Sequence, residues 1–450
     1  MTRILFWAAL LIGLAMGAIW LNDHPGTIQI EWMGYEVSAP ILVMVIGIAA
    51  LLLGTIMLVS LVARLFNIPL NYRMKNQKKN HDRGLEAVTM AITSLAISDD
   101  SNANKYTKKA EKFLGHSPLT QLLNAQLSYR SGDALGTTKE LEGMLEHKPT
   151  GFLAARALAN LAIKDNKIDE ALEYAERARR IEPSNTPCNL TLLNLYIQKE
   201  RWAEAENIIN QGKSRKAFSR ERAKHLLALT YATKAAKHEG DNQAKKATLL
   251  REQAFKHTPA FTDNAVKLAE HYGRTDQLKK ALATLGRAWR ETPHPSIALT
   301  AFTLIEKEPE KKQSKHITSL LKSQPRHLET HIAQAEFAIR AEKWAEAEEA
   351  CQHALKLAKQ SRIYSMLAMI ASKQGNEAQA ASHMQDSVTA DANPAWTCSN
   401  CGNRSGEWHL NCSTCNSFDS ISWKSESRKD APALDVRITD EPVLNIAIAS

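Results

Sequence analysis

The amino-acid sequence predicts an all-α protein that is anchored in a membrane near its N-terminus. Three observations predict this class. Aromatic residues make up only 6% of the 450 residues, and Gly and Pro number only 19 and 15, a composition that favours helices over sheets. Two long segments near the N-terminus are apolar, and prolines recur at a nearly constant interval through the middle of the chain.

The two apolar segments are residues 4–21 and 41–63, and neither contains a charged residue. As helices with a rise of about 1.5 Å per residue they reach about 27 and about 35 Å, enough to cross a hydrocarbon core of about 30 Å. The loop between them has no Lys or Arg, whereas residues 64–83 contain six against one Asp. Because cationic residues concentrate on the cytoplasmic side, we expect a two-pass anchor with both termini in the cytoplasm.

An alternative interpretation of the first segment is a cleavable signal peptide over residues 1–18, ending in Ala-Met-Gly-Ala. The second apolar segment would still place the large C-terminal part in the cytoplasm. We therefore expect residues 1–83 to form the membrane anchor, with residues 64–83 as its basic juxtamembrane segment.

Beyond residue 84, a set of prolines is spaced by one or two units of a nearly constant length. They are Pro118, Pro149, Pro183, Pro259, Pro293, Pro325 and Pro394. The intervals from Pro183 to Pro259 and from Pro325 to Pro394 each fit two units, and the other intervals fit one. A helix-terminating proline about every 34 residues is typical of the tetratricopeptide repeat, a pair of antiparallel helices.

Small and apolar residues recur with the same period and are expected in the core. They are Leu158, Ala159, Ala171, Ala175, Ala178, Leu192, Leu193, Tyr196, Ala205, Ile209, Leu268, Ala269, Tyr272, Ala281, Leu285 and Ala288. Large residues recur near the start of the second helix, at Ile168, Trp202, Leu278 and Trp344. Together these periods predict a tetratricopeptide α-solenoid over residues 84–394 with about eight helix pairs, the unit over residues 217–259 being among the least regular.

A stack of helix pairs offers a long rigid groove that suits a peptide or a protein surface. The sequence contains no phosphate-binding or dinucleotide-binding glycine motif, no nucleophile elbow and no His-Glu-x-x-His. We therefore expect a protein-binding scaffold and not an enzyme. The formal charge of +9 does not indicate nucleic-acid binding, because the basic cluster of residues 64–83 adjoins a membrane segment.

Four other residues could suggest a more specific site. His327 and His331 are four residues apart and would share one face of a helix, as metal or haem ligands do. We interpret them as ordinary residues at a helix start that follows Pro325. Cys351 falls on a core position of its repeat and Cys188 has no evident partner, so both are expected to be structural.

Residues 395–423 contain two Cys-x-x-Cys pairs, Cys398–Cys401 and Cys412–Cys415, separated by ten residues. Two such turns let four thiolates converge on one ion, and so short a segment needs the bound metal to fold. Because the protein would supply all four ligands, we expect a structural ion. Zn²⁺ is preferred, with Fe as the alternative.

Other residues of this four-cysteine knuckle fit the same interpretation. Gly402 and Asn416 each follow the second cysteine of a pair, where a left-handed turn is expected. A miniature core is expected from Trp396, Trp408, Phe418 and Trp423. Removal of the metal should then unfold residues 396–423 and leave the helices standing. Residues 424–450, mixed in charge and without periodicity, are expected to form a disordered tail.

The first 100 residues resemble the HemY N-terminal family of proteobacterial inner-membrane proteins. The resemblance lies in the two apolar segments, the string DHPGTIQIEWMGYEV and the basic stretch that leads into GLEAVTMAITSLAISDD. The repeats and the knuckle are similar to those of alphaproteobacterial members, so the resemblance covers nearly the whole chain. It implies a tetratricopeptide protein of the bacterial inner membrane that is associated with haem and porphyrin biosynthesis.

The knuckle is also similar to the rubredoxin-like tail of LapB, a membrane-anchored tetratricopeptide regulator of lipopolysaccharide assembly. This chain has two membrane segments instead of one, and Ser413 and Asn416 stand where a rubredoxin knuckle has Pro and Gly. Our leading hypothesis is a scaffold that gathers haem-pathway enzymes at the cytoplasmic membrane face. The alternatives are a LapB-like adaptor and a haem or porphyrin carrier that uses histidines of the array.

Overall fold

The computed structural model describes residues 12, 13, 15–17, 19, 20, 23, 26–32 and 35–425. Most of the first predicted membrane segment and residues 426–450 of the predicted tail lie outside the described residues, as do the side chains of residues 63–76 in the basic segment. The chain divides into two compact units, Met1–Leu127 and Ser128–Ser450.

The first unit contains a β-hairpin that the all-α prediction missed. Strands β1, Thr27–Trp32, and β2, Tyr35–Pro40, pair antiparallel between the two predicted membrane segments. The alternation in Thr-Ile-Gln-Ile-Glu-Trp is the period of two that is typical of a strand, so a local signal was present.

Helix α1, Ile41–Ala96, follows the hairpin directly and runs for 56 residues. It unites the predicted second membrane segment, the basic segment and the first helix of the repeats. Among the described residues, the single helical window long and apolar enough to cross a membrane is Val43–Val62, with a mean hydropathy of 2.7. One candidate membrane helix therefore stands where two were predicted.

From α1 to residue 389 the chain is a succession of helices joined by short turns. They are α2 Asp100–Leu114, α3 Pro118–Arg130, α4 Ala134–Met144, α5 Gly151–Lys164, α6 Ile168–Ile181, α7 Thr186–Gln198, α8 Trp202–Ser214, α9 Arg220–Gly240, α10 Ala244–His257, α11 Thr262–Arg274, α12 Leu278–Glu291, α13 Pro295–Ile305, α14 Glu310–Leu321, α15 Leu328–Arg340, α16 Trp344–Leu357, α17 Ser361–Lys373 and α18 Glu377–Thr389. With the end of α1 these make nine helix pairs in the described chain, where about eight were predicted.

The turn inside most pairs ends the first helix with a residue in the left-handed region. These residues are Ser98, Gly132, Asn166, Glu200, Asn242, Asp276, Glu342 and Gly375, with φ between 54° and 79°. A left-handed residue ends a helix because its backbone cannot continue the right-handed spiral. Most of these turns follow one another at about the tetratricopeptide period. The interval before Asn242 is longer because α9 has 21 residues, and this long helix explains the irregular unit over residues 217–259.

All sixteen residues that the repeat period assigned to the core are buried. The cores of successive pairs join into larger clusters, one of which extends from Ala159 to Phe261. Small residues let the paired helices approach, and the larger apolar residues fill the space between neighbouring pairs.

A three-stranded antiparallel sheet follows the last helix. Its central strand is β3, Ala395–Cys398, which is flanked by β4, Arg404–Ser405, and β5, Ile421–Lys424. These strands and the turns between them hold the four predicted metal-binding cysteines.

Candidate metal centre

The four cysteine sulfurs converge at one point in the knuckle. All four Sγ atoms lie within 4.8 Å of one another, with 3.7 Å between those of Cys398 and Cys415 and 3.6 Å between those of Cys401 and Cys412. Metal–sulfur bonds of about 2.3 Å in a tetrahedral site give sulfur–sulfur separations of about 3.8 Å. The cluster could therefore hold a metal ion of this kind.

The two Cys-x-x-Cys loops are built alike. Gly402 and Asn416 have φ of 73° and 54°, which confirms the predicted left-handed turns. The N–H of Gly402 donates to the carbonyl of Cys398 at 3.0 Å, and that of Asn416 donates to the carbonyl of Cys412 at 2.9 Å. These bonds close each loop so that both of its thiols face the same point.

Hydrogen-bond donors contact two of the cysteine sulfurs. Asn400 donates its backbone N–H to Cys398 Sγ at 3.4 Å and its side-chain amide to Cys415 Sγ at 3.6 Å. Burial raises the pKa of Cys415, but hydrogen bonds from Ser417 and Asn400 outweigh it and lower this pKa to about 6. Because the thiolate is the form that binds metal, these donors favour binding at neutral pH.

The knuckle packs against the helices through an ion pair and aromatic contacts. The carboxylate of Asp419, only 5% exposed, lies 2.7 Å from the guanidinium of Arg222 and 3.2 Å from the ring of His225, both near the start of α9. Trp408 meets Phe261 edge to face, with ring centroids 4.9 Å apart. Phe261 directly precedes α11, so the knuckle touches two neighbouring helix pairs here.

Further contacts extend along the same edge of the array. The ring of His294, which precedes α13, stacks on Trp396 at 5.2 Å and meets Trp423 edge to face at 4.4 Å. The side-chain amide of Gln360, which precedes α17, donates to the Ser425 hydroxyl at 3.2 Å. The knuckle therefore bridges the edge at which the first helices of several pairs begin.

This packing corrects the predicted miniature core. Trp396 and Trp408 do pack beside the cysteines, and Trp396 also contacts Trp423. However, Trp408 and Phe418 pack against the core of the helices, and Trp396 and Trp423 hold His294. The aromatic residues attach the knuckle to the array because a segment of this size has too little apolar surface for an independent core.

The other residues singled out in the sequence have structural surroundings. His327 caps α15, since its Nδ1 accepts the N–H of Glu329 at 3.2 Å, and His331 contacts the side chain of Gln334. Cys188 and Cys351 are buried, and this burial raises their pKa values to about 11 and about 12. Thiols with such pKa values are protonated at neutral pH and are poor nucleophiles.

A cleft of about 640 Å³ opens between α14, α15 and α16. Apolar side chains of Ile317, Leu321 and Phe337 line it, together with charged side chains that include Lys343 and Glu346. A cleft of this size and mixed lining could take side chains of a bound peptide. Sequence reasoning did not find it, because the repeat pattern places apolar residues without showing where neighbouring pairs separate.

Residues 26–132 match the family described as HemY protein N-terminus, and residues 162–229 match the tetratricopeptide repeat. The chain carries a HemY N-terminal region followed by tetratricopeptide repeats. The HemY region covers the hairpin, α1, α2 and α3, and its match confirms the resemblance seen in the sequence.

Several known proteins are similar to this chain. The probable magnetosome protein Mms48 of Magnetospirillum gryphiswaldense is 20% identical over 438 residues, which cover 96% of each chain. The uncharacterized protein RP472 of Rickettsia prowazekii is 20% identical over 213 residues, which cover 47% of this chain and 63% of that one. Among solved structures, a tetratricopeptide repeat protein from Parabacteroides merdae is 13% identical and covers 61% of this chain and 94% of its own, with a TM-score of 0.24.

Proposed function

We propose that this protein is a membrane-anchored tetratricopeptide scaffold that gathers other proteins at the cytoplasmic face of a bacterial inner membrane. The observation that carries the proposal is α1, in which an apolar window, Val43–Val62, continues without interruption into the first helix of the repeats. A chain that joins a membrane helix to a protein-binding array in this way can hold its partners near the bilayer.

The proposed topology follows from the charges beside the apolar segments. The basic residues between positions 64 and 83 favour the cytoplasm, and the loop before Ile41 has no Lys or Arg back to residue 22. We assign a two-pass anchor in which residues 4–21 form the first crossing and both termini are cytoplasmic. The lipid bilayer is then a partner of the anchor, whereas no nucleic acid is expected to bind.

The metal in this proposal is structural. Cys398, Cys401, Cys412 and Cys415 would fill all four positions of a tetrahedral ion and leave none open for a substrate. We assign Zn²⁺ in preference to Fe, and we assign no enzymatic activity. The ion would hold together the short segment that packs across the edge of the array.

The proposed partners are enzymes of haem biosynthesis, and the HemY N-terminal region supports this choice. A second candidate is a LapB-like adaptor in lipopolysaccharide assembly, which the docked four-cysteine knuckle favours. The likeness to a probable magnetosome protein extends over nearly the whole of both chains and supports one shared architecture.

Crosslinking in native membranes tests the scaffold and identifies its partners by mass spectrometry. The matched control is the anchor alone, residues 1–83, which keeps the membrane segments and lacks the repeats. Tetrapyrrole enzymes captured by the full chain and not by the anchor would support the haem assignment. Enzymes of lipopolysaccharide synthesis would support the LapB-like adaptor instead, and identical proteins captured by both chains would overturn the scaffold.

A further inference from the structure

Positive charge is concentrated in the middle of the array. Residues 213–290 contain 18 Lys or Arg against seven Asp or Glu, a net charge of +11, although the whole chain carries only +9. The rest of the chain is therefore slightly acidic. A local excess of this size sets a field that selects charged partners.

Part of this charge lies at the start of two second helices. Helix α10 begins Ala244-Lys245-Lys246, and α12 begins Leu278-Lys279-Lys280, so the two lysine pairs lie one repeat apart at the same phase. All four lysines are exposed. Among the described residues none of the four forms an ion pair, although the ammonium of Lys280 lies 5.6 Å from the ring centroid of Tyr272. We call these four lysines the lysine edge.

Local helix physics disfavours lysine at these positions. The N-terminus of a helix carries a partial positive charge, and neither α10 nor α12 has an acidic residue in its first turn or a side-chain cap. In contrast, α6, α8 and α16 carry Asp169, Glu204 and Glu346 in their first turns. A locally unfavourable choice made in two successive repeats points to a function that needs the charge.

The lysine edge faces away from the knuckle. In an antiparallel helix pair, the first helix and the second helix begin at opposite ends, so the array has two edges. The knuckle contacts Arg222, Phe261 and His294 at the edge where first helices begin. The lysines lie at the other edge, which the knuckle leaves open.

The next pair shows where the lysine edge ends. Helix α14 begins Glu310-Lys311-Lys312, with two lysines at the same phase as in α10 and α12. Here Lys312 pairs with Glu308 at 3.1 Å, while Glu310 pairs at 2.9 Å with Lys343, which directly precedes α16. One lysine of this third pair is therefore held in an ion pair, whereas the four lysines of the lysine edge have none among the described residues.

We propose that the lysine edge binds an acidic segment of a partner protein. This inference rests on the proposed scaffold function and specifies the chemistry of one partner. Helices α10 and α12 are the second helices of successive pairs, so their starts lie at least one helix diameter, about 10 Å, apart. An extended peptide covers about 10 Å with about three residues, so acidic residues spaced along it by that much or more can reach both lysine pairs. Lysine suits this role because its ammonium is a point charge that tolerates varied carboxylate positions.

Other polyanions fit the edge less well. Residues 234–250 and 273–284 include no Phe, Trp or Tyr, and the ring of Tyr272 beside Lys280 is buried, so these residues offer nucleic-acid bases no exposed ring on which to stack. Stacked repeats also twist relative to one another, so a flat bilayer follows their edge less closely than a flexible peptide does.

The test uses the full chain in nanodiscs of neutral phosphatidylcholine. The probe is a fluorescein-labelled peptide of five Glu-Glu-Ser-Gly repeats, and its binding is measured by fluorescence anisotropy. Either K245E/K246E or K279E/K280E should weaken binding by about fivefold or more. The matched control, K311E/K312E, makes the same change in charge at the same phase of the repeat and should leave binding within about twofold.

Thermal melting of the variants distinguishes loss of peptide binding from misfolding. Because glutamate suits a helix start better than lysine, neither test variant should melt below the parent chain. Equal loss of binding in all three variants would show an effect of net charge alone and would overturn the proposal. Binding of a Gln-Gln-Ser-Gly peptide as tight as that of the acidic peptide would also overturn it.

Vesicles of phosphatidylglycerol and phosphatidylcholine in equal parts, and a single-stranded oligothymidine as long as the peptide, complete the comparison. If either binds through Lys245 and Lys246 while the acidic peptide does not, the edge recognises lipid or nucleic acid and the proposal fails. The scaffold is judged separately by crosslinking. Partners that remain crosslinked to K245E/K246E, together with absent peptide binding to the parent chain, would overturn the lysine edge and leave the scaffold standing.

Discussion

His294 lies between the array and the knuckle, where its protonation bears on their contact. The ring is only 4% exposed, and its Nδ1 accepts the backbone N–H of Ser296 at 3.2 Å, so the neutral ring carries its proton on Nε2. Burial, aided by the nearby charge of Arg362, lowers the pKa of His294 to about 4. The neutral form is therefore the one that fits between Trp396 and Trp423.

The depressed pKa of His294 predicts weaker docking in acid. The unfolded state, with a His pKa of about 6.5, binds a proton at a higher pH than the folded state does. The contribution of His294 to the free energy of unfolding is therefore complete above pH 6.5 and is lost as the pH falls towards 4. Between pH 7 and pH 5 the free energy of unfolding should fall by about 2 kcal/mol more than in His294→Phe. Urea titration followed by tryptophan fluorescence measures the free energy of unfolding of the parent chain and of His294→Phe at each pH. Equal pH dependence in the two proteins would contradict the assignment.

Glu342 allows backbone strain to be tested at a single residue. It adopts a φ of 54° in the turn between α15 and α16, where side chains with a Cβ are strained. Glu342→Gly should raise the free energy of unfolding by about 0.5–1 kcal/mol, because relief of strain exceeds the added chain entropy. Thermal denaturation of the full chain in detergent measures the change.

Gly375 is the converse control. It has a φ of 78°, and a Cβ added there would meet no atom within 4 Å, so only the backbone would respond. Gly375→Ala should lower the free energy of unfolding by about 1 kcal/mol. Changes of the same sign in Glu342→Gly and Gly375→Ala would rule out left-handed strain as the cause.

At the scale of elements, we expect the knuckle to depend on a metal ion, whereas the helices have their own core. Chelation should unfold residues 395–424, since the strands of that sheet are short and its buried residues include two of the cysteines. Hydrogen exchange should then rise near Phe261 and His294, which the knuckle covers, while helical circular dichroism changes little.

Cysteine variants control for side effects of the chelator. Cys188→Ala with Cys351→Ala should respond as the parent chain does, because neither residue is a ligand. Cys398→Ser with Cys401→Ser should show raised exchange before any chelator is added. A large loss of helical signal, or unchanged exchange near His294, would contradict the proposed role of the metal.

Elements with local signals could be predicted, and contacts between distant elements could not. Proline spacing and small residues predicted the helix pairs, because the sequence of each repeat determines its own helix ends and core positions. The left-handed Gly402 and Asn416 followed from the cysteine spacing in the same way. The docking of the knuckle joins His225 to Asp419, 194 residues apart, and no periodic pattern encodes such a contact.

At the scale of the whole molecule, one chain combines a candidate membrane helix, tetratricopeptide repeats and a four-cysteine knuckle. The knuckle covers part of one edge of the repeats, so the partners of the proposed scaffold would use the surfaces that it leaves open. The proposed orientation decides which compartment those surfaces face, and it can be tested without knowing any partner.

Trypsin digestion of membrane vesicles should show the repeats on the cytoplasmic side. In everted vesicles trypsin should degrade the region 84–394, which contains many Lys and Arg, whereas right-side-out vesicles should protect it.

Gln29→Cys places a thiol on the exposed hairpin between the two segments, and a membrane-impermeant maleimide should label it only in right-side-out vesicles. A tag at the N-terminus should be cleaved only in everted vesicles if residues 4–21 cross the membrane. Cleavage of that tag from the outside would leave a single crossing at Val43–Val62, and digestion of the repeats from the outside would overturn the cytoplasmic scaffold.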